Sequence, residues 1–211
     1  MSETQTSEQI TVYSDYVCPF CYLGRESLRQ YQATREEALE IDWQPFDLRS
    51  QQRDADGEID HSVDDGKDEE YYEQAKQGVR RLQERYGVEM ELDLSREIDS
   101  LSAQIVSYYV KGHADYETWL AFDEAVFEAL WQDGRDIGDE DLLVELAEDA
   151  GVDGDEVRAA LDDDALRAEV HDRFAQARRQ GVTGVPTFAY DGHAARGAVP
   201  PEQLERLVDG A

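Results

Sequence analysis

Strand patterning lies at the two ends of this chain and helical patterning fills the stretch between, so any sheet must be assembled from segments far apart in sequence. "QITVYSD" (9–15) alternates and is rich in β-branched residues, the pattern of a strand. Pro19 stands where the first turn of a helix tolerates proline, and "FCYLGRESLRQYQATREEAL" continues as a helix without another. "EIDWQPFDL" (40–48) reads as a second strand, with Pro45 marking an edge or an end. Strand, helix, strand is the order of a parallel βαβ unit. At the other end, "PTFAYDG" (186–192) is a short apolar strand closed by a hairpin-type Asp-Gly turn. "ARGAV" (195–199) can pair with it, and "PPEQLERLVDG" has the punctuation of a last helix.

Between these ends the pattern changes. Residues 51–70 are acidic and poor in apolar residues, and are expected to form a solvated loop. Tyr72, Ala75, Val79, Leu82 and Tyr86 then step by three and four, with Gly87 as a stop. "VEMELDL" (88–94) fits a short strand or an extended connector. Ile98, Leu101, Ile105 and Tyr109 mark a helix ended by Gly112, and four further helical segments follow. The expected organisation is βαβ, a helical block, then ββα. Residues 1–50 and 180–211 form one discontinuous domain, and 51–179 an inserted helical one.

Both cysteines of the chain fall in "DYVCPFCYLG" (15–24), at the first strand-to-helix junction. Residues i and i+3 of a helix share a face, with Cβ atoms about 5–6 Å apart. A disulfide needs Cα atoms about 4.4–6.8 Å apart, so Cys18 and Cys21 require little adjustment to bond. Cys18 lies at the positive end of the helix, which favours an anion, and is expected to be accessible and readily ionised. Cys21 lies one turn in and is expected to be less exposed. That splits the roles: Cys18 exchanges with the substrate and Cys21 resolves the mixed disulfide. Two other readings stay open. The pair could be inert buried thiols. As a zinc site it would supply two ligands of the four needed, and His61, His113, His171 and His193 are scattered. A second signal is "GVTGVPTF" (181–188), where Pro186 cannot donate to a sheet ladder. A cis Val185–Pro186 bond, turning backbone groups toward a bound peptide, would explain its place.

Composition excludes other classes. Fifty acids face twenty bases, for a net charge of −30, and only Lys67, Lys76 and Lys111 are lysines. Nucleic acid and anionic membrane are therefore not expected as partners. The excess suits either a surface adapted to high salt or an ordinary acidic protein. No apolar leader or long apolar run is present, so the expected address is the cytoplasm, where a cysteine pair is more often catalytic or metal-binding than structural.

"DYVCPFCYLG", "WQPFDL", "FEALWQDGRDIGDEDLLVELAEDAG" and "GVTGVPTFAYDG", followed by "GAVPPEQLERL", resemble in order the thioredoxin-fold DsbA family. The resemblance is closest to its FrnE-like branch, whose relatives include 2-hydroxychromene-2-carboxylate isomerase and the kappa glutathione transferases. It implies an α/β thioredoxin fold with a large all-α insertion. It also implies that Cys18 is the nucleophile, Cys21 the resolving thiol and Pro186 a cis-proline facing them. Pro19, Phe20, Val185 and Pro186 are then expected to meet the substrate, a protein or small-molecule thiol or disulfide. No metal or bound cofactor is expected, with glutathione a conceivable co-substrate. A glutathione-dependent isomerase or transferase is the alternative enzyme, and a chaperone-like peptide-binding module the alternative outside catalysis. "SREIDSLSAQ" (95–104) departs from the family's Asn-x-x-x-Ala-His-like stretch, so no role for the helical cleft carries over.

Of the remaining residues, Asp15 is expected to cap the turn into the helix, or to take a proton from Cys21. Tyr16 and Tyr22 flank the motif and either shape the thiol site or, as is more usual, pack with solvated hydroxyls. Trp119, Phe122, Phe127 and Trp131 are read as bundle core, with a groove between the domains as the alternative, and His113 as lying at a helix end.

Overall fold

The computed structural model describes residues 8–54, 57, 59–60, 62–63, 66, 68–92 and 98–210. Strand β1 (Glu8–Ser14) leads into helix α1 (Pro19–Gln32), which returns to β2 (Leu39–Pro45). Helices α2 (Glu69–Tyr86), α3 (Leu101–His113), α4 (Tyr116–Trp131), α5 (Glu140–Asp149), α6 (Gly154–Leu161) and α7 (Asp164–Arg179) follow. The chain closes with β3 (Thr187–Tyr190), β4 (His193–Arg196) and α8 (Pro201–Asp209). The sheet order is β2-β1-β3-β4, with β1 and β2 parallel and the other pairs antiparallel. This is a thioredoxin fold with a helical insertion between β2 and β3. Pro45 ends β2, which is an edge strand, where a missing N–H costs least.

Boundaries differ where side chains redirect the backbone. The first helix, expected to run to Leu39, ends at Gln32. Thr34 donates its hydroxyl to the Tyr31 carbonyl, and the Gln32 amide donates to the Leu39 carbonyl, so the chain turns back and opens β2. Arg35, inside the expected helix, reaches Glu8 and Asp209 instead. The fourth strand starts at His193 rather than Ala195. Asp191 (φ 45°) and Gly192 (φ 79°) form a two-residue turn that pairs Tyr190 directly with His193. Residues 88–92 form a connector, tied by the Glu91 N–H to the Trp131 carbonyl; residues 93–97 of the expected "VEMELDL" and "SREIDSLSAQ" segments lie outside the described residues. So do His61, Lys67 and other positions of the acidic 51–70 stretch.

Many acids have local structural work. Asp68, Asp115, Asp139, Asp153 and Asp163 are the N-caps of α2, α4, α5, α6 and α7, each accepting a backbone N–H that the helix leaves unpaired. The main buried cluster runs across the line drawn between sheet and insertion. The Trp43 and Trp119 rings lie 6.4 Å apart, and those of Tyr16 and Phe127 4.8 Å apart. Trp119, Phe122, Phe127 and Trp131 are all buried, as core residues.

A buried charge pair fixes α4 beside α1. Asp123 has no exposed surface; it accepts from Arg25 and, at 2.8 Å, from the Tyr16 hydroxyl. Tyr16 is therefore not the solvated tyrosine expected from its type. Replacing Arg25 by Met would leave Asp123 buried without its counter-charge. Denaturant unfolding is expected to show a loss of about 3–5 kcal/mol.

Candidate functional site

Cys18 is the N-cap of α1, in extended conformation, and Pro19 occupies the first turn. The Cys18 carbonyl accepts the N–H groups of Cys21 (2.9 Å) and Tyr22, which closes the helix directly behind the pair. Both cysteines are free thiols. The Cys18 sulfur lies 3.7 Å from the Val185 carbonyl oxygen, within reach of a thiol hydrogen bond. The Val185–Pro186 peptide is cis. The β1–α1 junction and the loop before β3 thus meet across 167 residues of sequence.

Cys18 is not the exposed thiol expected. It is 5% exposed and Cys21 is fully buried; the loop carrying Val185 lies against the Cys18 sulfur. The Cys21 thiol is pushed well above the ordinary range by burial, then by its hydrogen bond to Cys18 and the charge there. Cys21 accordingly keeps its proton. Pro186 is buried, while Pro19, Phe20 and Val185 are half-buried, with Phe20 turned toward α2.

Gly24 holds these parts together, and the sequence reading did not single it out. A Cβ built there would stand 3.0 Å from Pro186 Cγ and 3.1 Å from the Phe188 ring. Any side chain there would force Pro186 or Phe188 to give way. The available signal was spacing: Gly24 follows Cys21 by three residues, on the same helix face.

Asp15 lies below the pair. It holds the turn by accepting the Val17 N–H (3.2 Å), yet it does not cap α1, whose N-cap is Cys18. Its other partners are the Leu48 N–H (2.9 Å) and the Ser100 hydroxyl (2.5 Å). Gln104 extends the network, donating to the Phe46 carbonyl and accepting the Phe46 N–H. One buried carboxylate therefore joins β1, the segment after β2 and the start of α3. Burial raises the Asp15 pKa to about 6, and Asp47 adds to the rise; the bonds from Ser100, Leu48 and Val17 oppose it. Its charge also acts on Cys21. Nearby, Arg49 Nη1 is buried without a hydrogen-bond partner, the one such side-chain nitrogen or oxygen among the described residues.

Tyr22 accepts from the Gln132 amide at 2.6 Å and stacks on Phe127. His113 belongs to the last turn of α3, far along the chain from the pair. Among the described residues no group of three or more His, Cys, Asp or Glu side chains is placed to hold a metal ion, and no helix is long and apolar enough to cross a membrane.

A thioredoxin fold with two cysteines at the head of its first helix and a cis-proline loop against them defines a class, the thioredoxin-like thiol proteins. Within it, residues 9–209 match the DSBA-like thioredoxin domain model, and the chain belongs to that family. It is 31% identical over 212 residues to the uncharacterized protein YwbO of Bacillus subtilis (strain 168), covering 94% of each chain. Two solved structures share the fold. The "probable DsbA oxidoreductase" of Streptomyces coelicolor has a TM-score of 0.77 at 24% identity, over 96% of this chain and 88% of that one. A 2-hydroxychromene-2-carboxylate isomerase has a TM-score of 0.76 at 22% identity, over 93% and 92%.

Two outcomes are expected here. Gly24→Val should push Pro186 away, costing about 1–3 kcal/mol in denaturant unfolding. Second, Asp15 binds its proton more tightly folded than unfolded, so its contribution falls as pH rises from about 4 to about 6 and is flat above. The difference in unfolding free energy between wild type and Asp15→Asn should shift in favour of the wild type by about 3 kcal/mol as pH drops from neutral to about 4. A shift of the opposite sign would contradict a raised Asp15.

Proposed function

We propose that this protein is a thiol–disulfide oxidoreductase in which Cys18 exchanges with the substrate and Cys21 resolves. The observation that carries the reading is the contact of the Cys18 sulfur with the Val185 carbonyl at the cis-proline, with Cys21 hydrogen-bonded behind it. In this reading the Cys18 thiolate attacks one sulfur of a substrate disulfide; a Cys18–substrate bond forms and the other substrate sulfur leaves as a thiolate. Cys21 then gives up its proton and attacks the Cys18 sulfur. The second substrate thiolate leaves, and a Cys18–Cys21 disulfide remains. The substrate is reduced by two electrons and the pair oxidised by two; the reverse sequence oxidises a dithiol.

Cys21 must lose a proton to act, and after Cys18 the carboxylate of Asp15 is the charge that acts on it. Asp15 as that acceptor completes the scheme. Val185, Pro186, Pro19 and Phe20 would border the substrate. The substrate thiol or disulfide, the absence of a bound cofactor and a cytoplasmic, salt-tolerant setting belong to the same proposal. The isomerase reading draws on likeness of fold, and the geometry at the pair favours exchange, because Cys21 has a place in that chemistry.

Reduced protein mixed with a model disulfide should form a transient adduct and then an internal disulfide, followed by mass spectrometry. Cys18→Ser should lower exchange by at least about a thousandfold, since the attacking sulfur is gone. Cys21→Ser should let the adduct accumulate. Full-rate exchange by Cys18→Ser would refute the mechanism. Turnover of a small molecule with glutathione, unaffected by Cys21→Ser, would point to the isomerase class.

A further inference from the structure

Ser100 is the N-cap of α3, where a serine hydroxyl ordinarily accepts a backbone N–H of the first turn. Here it makes no such bond, and the Asp99 carboxylate accepts the Leu101 N–H instead. The Ser100 hydroxyl is turned to Asp15 Oδ1 at 2.5 Å, and both side chains are buried. Gln104, one turn along α3 and fully buried, fixes the direction of that bond. Its amide faces the backbone of Phe46, whose N–H needs an oxygen and whose carbonyl needs an N–H. Oε1 therefore accepts the one and Nε2 donates to the other. The same Nε2 donates to the Ser100 oxygen at 3.2 Å, so the hydroxyl hydrogen is left for Asp15, its one acceptor among the described residues. The two Asp15 oxygens are thereby unequal. Oδ1 accepts from Ser100 and from the Val17 N–H, whereas Oδ2 accepts only the Leu48 N–H among the described residues. The Cys21 thiol has a hydrogen bond to the Asp15 backbone and feels the charge of its carboxylate.

We infer that Ser100 and Gln104 are positioning residues for the resolving step, holding Asp15 Oδ1 as an acceptor and leaving Oδ2 to take the Cys21 proton. The inference rests on the exchange proposed above, with Asp15 as its proton acceptor. In that step the Cys21 sulfur gives its proton to Oδ2 and its electron pair to the Cys18 sulfur. The Cys18–Cys21 bond forms, the Cys18–substrate bond breaks, and the substrate leaves as a thiolate. Protonation at Oδ1 would instead have to turn away the Ser100 hydroxyl, whose oxygen Gln104 already engages. A donor fixed on a carboxylate favours its charged form, so the pair from α3 sets how readily Asp15 holds a proton. The other charges around this carboxylate are tied elsewhere. Asp47, from the segment after β2, and Asp99, beside Ser100, both bind Arg53. Arg49 acts on Asp99, and from α7 Arg178 donates to the Asp47 carbonyl while His171 feels Arg53 and Asp47. From α1 the cysteine pair itself faces Asp15, and Tyr16 is turned to Asp123 of α4.

Reduced protein mixed with dithiobis(nitrobenzoate) releases one thiolate when Cys18 attacks and a second when Cys21 resolves. Stopped-flow absorbance follows the second phase between about pH 4 and about pH 9. Its rate should rise through an inflection that Asp15→Asn erases. Ser100→Ala should move that inflection upward by about one to two pH units, the loss of one hydrogen bond to a charged group. The rate above the inflection should stay within about twofold of wild type. Ser100→Thr, which keeps the hydroxyl, should keep the wild-type profile. Gln104→Met, which removes the lock but leaves the hydroxyl, should move the inflection the same way by less. A carbon-13 carboxyl titration of Asp15 by NMR reads the same group without turnover. An inflection and an Asp15 midpoint unmoved in both Ser100→Ala and Gln104→Met, with only a lower rate, overturn the inference while the exchange reaction stands. A midpoint that moves while the second phase keeps its profile overturns Asp15 as the proton acceptor, the reading beneath the inference. A wild type with no second phase overturns the exchange itself.

Discussion

The site depends on one close approach, that of α1 to the loop before β3. Gly24 permits it, and Pro186 and Phe188 occupy the space a side chain would take. The Val185 carbonyl reaches the Cys18 sulfur because the loop is pressed against the helix, and Cys21 is sealed because the same packing shuts out water. The position of the loop against α1 is therefore set in part by van der Waals contact a turn further down the helix, where no functional group stands.

Asp15 adds a second constraint, electrostatic in kind. A buried carboxylate is tolerable only with donors around it, and three donors converge here from separate elements. Ser100 is one of them, so the insertion supplies part of the wall of the dithiol site. The strands and the head of α1 cannot complete it alone.

The strands, the helix order and the two cysteines were legible because each leaves a local mark: alternation, periodicity, or a three-residue spacing. "GVTGVPTF" marked the loop for the same reason, since proline beside a strand restricts backbone choice locally. What remained hidden were meetings of distant residues. Gly24 has no meaning until Pro186 is beside it, and Asp15 looked like a turn residue until Leu48 and Ser100 arrived. The seal over Cys18 was hidden likewise, because a carbonyl 167 residues away supplies it. The early end of α1 was misread because Arg35 looks helical in sequence and is drawn off by Glu8 and Asp209.

The shared core bears on how such a molecule can change over generations. Trp43 and Tyr16 on the sheet side rest against Trp119 and Phe127 on the helical side, and the Tyr16 hydroxyl and Arg25 both reach Asp123 of α4 across the same junction. A graft exchanging the whole helical block would strip both faces at once, and each would be left wet and apolar. Diversification is thereby channelled to the rim, where residues can vary without reopening the interior.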